Sequence, residues 1–220
     1  MNEIKIALLG LGTVGCGVVK VLQTHGADLA ERAGCRLAFG RVADADLIRS
    51  REGIDLARLP LTADANQAID DPAVQIVIEL IGGLEPARTF ILKALQAGKH
   101  VVTANKALLA THGAEIFALA ASKGAEIAFE ASVGGTIPVL RVLREGLCAD
   151  RVLALHGIVN GTCNFILTQM EARGEPYEVC LKRAQELGYA EADPSFDVDG
   201  VDSAHKLAIL ASVACSSNAR

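Results

Sequence analysis

The chain has 220 residues, of which 51% are apolar, enough to build the core of one large domain or two small ones. Its formal net charge of −5 at pH 7 argues against a nucleic-acid partner, because phosphate binding needs a concentrated basic surface. No apolar stretch approaches the roughly 20 residues of a membrane-spanning helix. Residues 1–10 lead into a glycine-rich turn rather than a signal-peptide cleavage site. We therefore expect a cytoplasmic protein without a membrane partner.

The first half of the sequence alternates between strand and helix patterns. Residues 74–81 are an almost unbroken apolar run, typical of a parallel strand covered on both faces. The alternation predicts an α/β fold with a Rossmann-type, doubly wound parallel sheet. The predicted strands are residues 4–9, 36–43, 74–81, 100–103 and 126–129, and the predicted helices are residues 13–24, 85–97 and 106–123.

The pattern changes at the glycine-rich residues 132–138, where we place a domain boundary. The two predicted domains are 1–133, which binds the nucleotide, and 134–220, an α+β domain. The second domain is predicted to contain a strand at 151–159 and helices at 139–146, 164–172, 177–187 and 201–213. The polar residues 49–60 are interpreted as a surface excursion.

A G-x-G-x-x-G pattern follows the first predicted strand and opens the first predicted helix, which is the context that makes this motif specific. Gly10 permits the tight turn, Gly12 allows close approach of a pyrophosphate, and Gly15 allows the helix to pack on the strand. The free N–H groups at the helix start, at Thr13 and Val14, then face the phosphates. The pattern predicts that the chain binds NADP or NAD.

The adenosine end of the predicted nucleotide site is ambiguous. An acidic residue after the second strand favours NAD, whereas a basic one favours NADP. Asp44 and Asp46 follow that strand and Arg41 lies within it, although Asp44 comes later than the usual spacing of about 20 residues. Surface solvation explains these three residues equally well, so the choice of coenzyme stays open.

Five segments, taken in order, resemble homoserine dehydrogenases. They are residues 103–106 (TANK), 130–138 (EASVGGTIP), 157–167 (GIVNGTCNFIL), 185–194 (QELGYAEADP) and 197–206, which reads DVDGVD and ends in His-Lys. The resemblance runs from Lys5 to about Ala214. It implies an NAD(P)-dependent oxidoreductase that interconverts L-homoserine and L-aspartate 4-semialdehyde, in the biosynthesis of threonine, methionine and isoleucine.

The resemblance also implies catalytic residues. Lys106 matches a lysine beside the nicotinamide and the substrate, and Lys206 matches an acid/base lysine that exchanges a proton with the substrate oxygen. Asp202 precedes Lys206 by four residues, so a helix places both on one face. An ordinary surface ion pair is the alternative interpretation of Asp202 and Lys206, and a solvated lysine that of Lys106.

Further residues carry over as ligands. Glu191 matches a glutamate that binds the substrate amino group, and Asp197 and Asp202 are additional substrate contacts within an acidic stretch that also holds Asp193 and Asp199. A solvated charge run is the alternative. The segment Asn160-Gly161-Thr162 either caps a helix, with Thr162 as the N-cap, or binds the substrate carboxylate.

A monovalent cation, such as Na⁺, is implied at a glycine-rich turn. Glu130, Val133, Gly135 and Ile137 match positions that hold such an ion in some family members. One carboxylate and backbone carbonyls are hard oxygen ligands that suit Na⁺. A structural hinge without an ion is the alternative.

The chain is short relative to the family, so the resemblance predicts a partial substrate-binding and dimerisation domain and a homodimer. Two other functions remain open. One is a nucleotide-binding module without turnover. The other is an aspartate-semialdehyde dehydrogenase, which needs a catalytic cysteine with a histidine partner. Cys163 lacks an evident partner. None of the six cysteines forms a C-x-x-C pair, so we expect reduced thiols rather than a metal or disulfide framework.

Overall fold

A computed structural model describes residues 1–215, which divide into two units, Met1–Ser132 and the residues from Val133 onward. Residues 216–220 lie outside the described range. The functional assignment of the segments 1–133 and 134–220 remains a prediction. No helix within residues 1–215 is both long and apolar enough to cross a membrane.

Six parallel strands form the sheet of the first unit, in the order β3-β2-β1-β4-β5-β6. This order confirms the predicted Rossmann-type sheet. Successive strands are added on one side of β1 up to β3 and on the other side from β4 onward, so the strand order reverses between β1 and β4. Leu9 is in register with both Ala43 and Glu79, and Glu79 is in register with Thr103. The carboxyl ends of these four strands therefore lie along the same edge of the sheet. The strands are β1 (Asn2–Leu9), β2 (Cys35–Ala43), β3 (Leu61–Thr62), β4 (Val74–Glu79), β5 (His100–Thr103) and β6 (Ile127–Ala128).

The helices of the first unit pack on this sheet through apolar side chains. Val19, Ile91 and Leu108 are fully buried, as are Leu8 and Val77 of the strands. The helices are α1 (Thr13–Ala33), α2 (Ala65–Asp70), α3 (Ala87–Gln96) and α4 (Lys106–Lys123). β3 and α2 were not predicted because two-residue strands and six-residue helices carry too few residues to show a period.

The second unit contains only helices within the described residues. They are α5 (Val139–Arg141), which continues into a π-helical turn (Val142–Gly146), α6 (Gly161–Arg173), α7 (Tyr177–Glu186), α8 (Ser195–Val198) and α9 (Val201–Cys215). α6 and α7 pack around Ile166, Cys180 and Ala184, which are almost completely buried.

The predicted strand at residues 151–159 was wrong. The segment joins the π-helical turn to α6 without regular secondary structure, and no other segment of residues 1–215 pairs with it. Its apolar run at residues 152–155 is typical of a strand, but a strand forms only where a neighbour accepts and donates its backbone hydrogen bonds. Leu153 and Ile158 are consequently 87% and 75% exposed.

Candidate functional site

The glycine-rich turn between β1 and α1 is shaped by two glycines and left open by a third. Gly10 has a φ of +96°, and a Cβ at this position would lie 2.7 Å from the carbonyl oxygen of Leu80. A Cβ on Gly15 would lie 2.0 Å from the carbonyl oxygen of Gly10. At Gly12, in contrast, a Cβ would meet nothing within 4 Å. Gly10 and Gly15 are therefore demanded by the fold, whereas Gly12 leaves room for a ligand.

The first turn of α1 offers an anion site of the predicted kind. Gly12 is the N-cap and provides no side-chain oxygen to the first amides. The first hydrogen bond of the helix runs from the Cys16 amide to the Gly12 carbonyl, at 2.9 Å. Thr13 and Val14 are exposed. The N–H groups of such a first turn have no acceptor inside the helix and carry the positive end of its dipole.

Asp44, which follows β2 directly, is bound to this turn. Its Oδ2 accepts a hydrogen bond from the Leu11 amide at 2.5 Å, and its Oδ1 accepts one from Arg51 at 3.0 Å. Arg51 Nε in turn donates to the Leu11 carbonyl at 2.7 Å, and the Arg51 side chain is only 7% exposed. Asp44 thus occupies the position of the ribose-binding acid, with an arginine beside it.

Most of residues 49–60 are exposed, as expected of a surface excursion, but the Arg51 side chain within this segment is buried. Its buried guanidinium donates four hydrogen bonds near the turn, two of them to the Arg49 and Asp46 carbonyls. The other two candidates lie outside this cluster of side chains. Arg41 is an exposed residue of β2, and the Asp46 carboxylate accepts from the amides of Arg49 and Ile48, which lowers its pKa.

A buried carboxylate, which the sequence did not reveal, stands at the end of β4. Glu79 is completely buried. Its Oε1 accepts from the amides of Ile81 and Gly82, at 2.8 and 3.1 Å, and its Oε2 accepts from Thr103 Oγ1 at 2.7 Å. Three donors offset the cost of burying the charge. The group fixes the loop after β4 at the sheet edge that ends in Leu9, Ala43, Glu79 and Thr103.

The same network sets the start of α4. Asn105 caps that helix by accepting from the Leu108 amide at 3.1 Å, and its Nδ2 donates to the Gly83 carbonyl at 2.7 Å. The Asn105 amide itself donates to Thr103 Oγ1 at 3.0 Å. Lys106 is the first residue of α4 and is half-buried. The predicted lysine therefore begins a helix whose first turn is held by side chains from two strand ends.

In the second unit, Asp202 and Lys206 form an ion pair on α9. Lys206 Nζ lies 2.6 Å from Asp202 Oδ2 and also donates to the Val159 carbonyl at 2.7 Å. The two side chains are 19% and 5% exposed, for Lys206 and Asp202 respectively. These exposures differ from those of an ordinary surface ion pair, the alternative interpretation. The ammonium is held between a buried carboxylate and a fixed backbone oxygen.

Asn160 connects this pair to Asp197. Its Nδ2 donates to Asp197 Oδ1 at 2.8 Å and to Asp202 Oδ2 at 2.9 Å. Its Oδ1 accepts from the Cys163 amide at 2.8 Å, so that Asn160 is the N-cap of α6. The expectation that Thr162 is the cap was wrong, because the helix begins at Gly161 and Thr162 already lies within it. Thr162 Oγ1 lies 2.7 Å from the Tyr189 carbonyl and 3.1 Å from Asp197 Oδ2.

The remaining acidic residues of the predicted loop have different surroundings. Glu191 is exposed, and among the described residues nothing donates a hydrogen bond to its carboxylate. Asp193 accepts from the Ser195 hydroxyl and amide, which lowers its pKa and fixes the start of α8. Asp199 is exposed. The structure thus brings Asp197, Asp202 and Lys206 together and leaves Glu191 open to solvent.

The residues expected to bind a cation fall on both sides of the sequence boundary between the two units. Glu130 begins a 3₁₀ turn at the end of the first unit, and Val133, Gly135 and Ile137 belong to the second. Val133 is buried, and the Ile137 amide closes a tight turn onto the Gly134 carbonyl at 2.5 Å. Within residues 1–215, no three His, Cys, Asp or Glu side chains cluster as metal ligands.

Cys163 does not have the surroundings of a nucleophile. Burial raises the pKa of its thiol, and the negative charges of Asp197 and Asp202 raise it further. Its Sγ lies 3.3 Å from the Asp197 carbonyl oxygen. A reactive cysteine needs a lowered pKa and a basic partner, so these surroundings disfavour an aspartate-semialdehyde dehydrogenase.

The parallel sheet, the glycine turn at its reversal point and Asp44 after β2 define a Rossmann-type nucleotide-binding protein. Comparison with known proteins narrows this class. The family model described as "Homoserine dehydrogenase, NAD binding domain" matches residues 10–130, and the model described as "Homoserine dehydrogenase" matches residues 138–220. The expectation that the resemblance ends near Ala214 was wrong, because the second match extends to residue 220. The chain belongs to the homoserine dehydrogenase family.

Individual relatives show the same match and its extent. A homoserine dehydrogenase of Bacillus subtilis (strain 168) is 51% identical over 218 residues, which are 99% of this chain and 50% of that protein. The crystal structure of a homoserine dehydrogenase from Thiobacillus denitrificans superposes with a TM-score of 0.90 at 50% identity, covering 97% of this chain and 49% of that one. A hyperthermophilic archaeal homoserine dehydrogenase in complex with NADPH gives 0.81 at 27% identity, covering 96% and 70%. The chain spans about half the length of the curated relatives it matches.

Proposed function

We propose that this chain catalyses the NAD(P)-dependent interconversion of L-homoserine and L-aspartate 4-semialdehyde. The observation that supports this proposal most strongly is the Asp202–Lys206 pair, in which a largely buried ammonium is bound to a carboxylate and to the Val159 carbonyl. Oxidation of an alcohol requires that its hydroxyl lose a proton, and reduction of the aldehyde requires that its oxygen gain one. A fixed lysine can perform both transfers.

The first unit supplies the coenzyme half of the proposed reaction. Gly10, Gly12 and Gly15, with the first-turn amides at Thr13 and Val14, fit a pyrophosphate. Asp44 and Arg51 fit the adenosine ribose, and Lys106 is assigned to the nicotinamide end. When bound, NAD or NADP exchanges a hydride with the substrate carbon. The archaeal relative in complex with NADPH supports NADP as one coenzyme.

The second unit supplies the substrate half. Lys206 donates a proton to the aldehyde oxygen during reduction and accepts one from the hydroxyl during oxidation. Asp202 orients the ammonium through the 2.6 Å contact. Glu191, whose carboxylate is exposed, is proposed to bind the substrate amino group, with Asp197 and Asp202 as further contacts. Opposite charges make such recognition favourable wherever water is partly excluded.

Three further assignments belong to the proposal. Na⁺ would be bound by the Glu130 carboxylate and by backbone oxygens at Val133, Gly135 and Ile137, a hard-oxygen set of suitable chemistry. A homodimer is supported by the exposed apolar segment that contains Leu153 and Ile158. A cytoplasmic location is supported by four thiols that form no disulfide, those of Cys16, Cys35, Cys163 and Cys180.

A coupled binding and turnover assay tests the proposal. The purified chain is incubated with L-homoserine and either NAD⁺ or NADP⁺, and formation of the reduced nicotinamide is followed by its absorbance. We expect turnover that disappears in Lys206→Ala, while NADPH binding persists in both proteins. Folded protein that binds NADPH without any turnover would instead support the nucleotide-binding module.

A further inference from the structure

The Asn160 side chain makes hydrogen bonds through both its NH₂ group and its oxygen, and the two groups bind different parts of the second unit. The oxygen accepts from the Cys163 amide and caps α6. The two N–H bonds go to Asp197 and Asp202, which lie 37 and 42 residues further along the chain. Asn160 is itself 7% exposed. Its side chain therefore joins the helix start to the ion pair of α9.

Capping alone does not explain an asparagine at this position. An N-cap needs only an acceptor oxygen, and aspartate or serine serves as well as asparagine. Aspartate is additionally favoured by the helix dipole. At position 160, however, aspartate would place a third carboxylate against Asp197 and Asp202. Only a residue that accepts on one side and donates twice on the other satisfies both demands.

The two donated hydrogen bonds have an electrostatic consequence. Asp197 and Asp202 are like charges that share one donor group, so Asn160 offsets their repulsion and keeps both oxygens in place. Asp202 Oδ2, the atom that binds Asn160 at 2.9 Å, is the same atom that binds Lys206 Nζ at 2.6 Å. The position of the ammonium therefore depends on Asn160 through one shared oxygen.

We infer that Asn160 is the positioning residue of the Lys206 site: its amide holds Asp197 and Asp202 together and thereby fixes the ammonium of Lys206. This inference rests on the proposed function, in which Lys206 exchanges a proton with the substrate. A catalytic group displaced by about 1 Å can lose about 100-fold in rate. Replacement of the Asn160 NH₂ group should thus lower kcat and leave the coenzyme site of the first unit unchanged.

Two variants and one control test the inference. Asn160→Asp keeps the size and the cap oxygen but removes both donors, and Asn160→Ser keeps a cap without adding charge. Asp64→Ala removes a different N-cap, that of α2, where Asp64 Oδ1 accepts from the Asn66 amide at 2.8 Å. We expect kcat to fall about 100-fold in both Asn160 variants, with the KM for the coenzyme changed by less than about twofold. Asp64→Ala should lose thermal stability and keep its kcat. A kcat within about twofold of the parent in folded Asn160→Asp would overturn the inference.

A second readout does not depend on turnover. Competitive labelling with acetic anhydride, analysed by mass spectrometry, reports how firmly the Lys206 amine is held. We expect the labelling rate of Lys206 to rise about tenfold in Asn160→Ser, because the shared oxygen is no longer held, and to stay unchanged in Asp64→Ala. Equal labelling rates in all three proteins would overturn the positioning role. Should the parent lack turnover, this experiment still decides the role of Asn160, separately from the proposed function.

Discussion

Substitution by alanine should affect different properties at two glycines of the same turn, the melting temperature at Gly15 and coenzyme binding at Gly12. Gly15→Ala places a methyl group 2.0 Å from the Gly10 carbonyl oxygen, far inside van der Waals contact, so α1 must move away from β1. Overpacking of this kind costs about 1 to 3 kcal/mol. Because each kcal/mol shifts the melting temperature of a chain of this size by about 2 to 4 °C, we expect a fall of about 2 to 12 °C.

Gly12→Ala should leave the melting temperature unchanged and weaken coenzyme binding. Its Cβ meets nothing within 4 Å, and its backbone φ of −76° is open to alanine. The methyl group would occupy the space in which a pyrophosphate approaches the backbone. We expect the Kd for NADPH to rise at least about tenfold. Melting curves and NADPH fluorescence titrations measure both effects, and the chain contains no tryptophan to interfere. Tight NADPH binding by Gly12→Ala, or an unchanged melting temperature for Gly15→Ala, would refute the assignment of the turn.

Three further substitutions test other parts of the structure. Glu79→Ala removes three hydrogen bonds and leaves the buried Thr103 hydroxyl without its acceptor, so it should lower the free energy of unfolding by about 1 to 3 kcal/mol in urea denaturation, whereas an unchanged free energy would contradict the network. Arg51→Ala removes the side chain that binds Asp44 and the Leu11 carbonyl, so it should weaken NADPH and NADH binding alike, by about tenfold in fluorescence titrations, and unchanged binding of both would contradict a role of Arg51 in holding the turn. Arg88 holds the pKa of Glu115 below its usual 4.5 by a hydrogen bond, so the stability that this pair contributes is present above pH 4.5 and is lost as the pH falls through the lowered pKa. The melting temperature of Arg88→Ala should therefore lie below that of the parent at neutral pH and approach it as the pH falls through the lowered pKa of Glu115, and a difference that persists after this carboxylate is protonated would contradict this sign.

Local sequence signals were sufficient where the chemistry is local. The glycine turn was predicted because one strand, one turn and one helix contain the whole motif. The pairing of Asp202 with Lys206 followed from the spacing of four residues on one helix face. The Rossmann-type sheet followed from alternating strands and helices, since short connections and right-handed crossovers leave few topologies.

Contacts between distant segments could not be predicted in the same way. Glu79 ends an apolar strand, and nothing in the adjacent sequence shows that its side chain will be buried and will accept hydrogen bonds from Thr103 and two backbone amides. Arg51 lies in a polar stretch that is typical of a surface loop, yet it closes on Leu11, 40 residues earlier. The strand predicted at residues 151–159 failed for the same reason, because strand formation depends on a partner from elsewhere in the chain.

Asn160 shows the limit of motif interpretation most clearly. Its neighbours Gly161 and Thr162 suggested a helix cap, and the cap exists, but the two carboxylates bound by its amide come from residues 197 and 202. The sequence supplied the residue type and the helix start. The structure supplied the reason why that type is asparagine.

We propose that this chain moves a hydride from the hydroxyl-bearing carbon of L-homoserine to a nicotinamide while Lys206 takes the proton. Homoserine deuterated at that carbon, incubated with the chain and NADP⁺, tests the claim directly when deuterium in the recovered NADPH is measured by mass spectrometry. We predict that deuterium appears in NADPH with the parent chain and that its rate of appearance falls by about 100-fold or more in Lys206→Ala, with NADPH binding retained. Absence of deuterium transfer by a parent chain that binds NADPH, or equal rates in both proteins, would contradict the account.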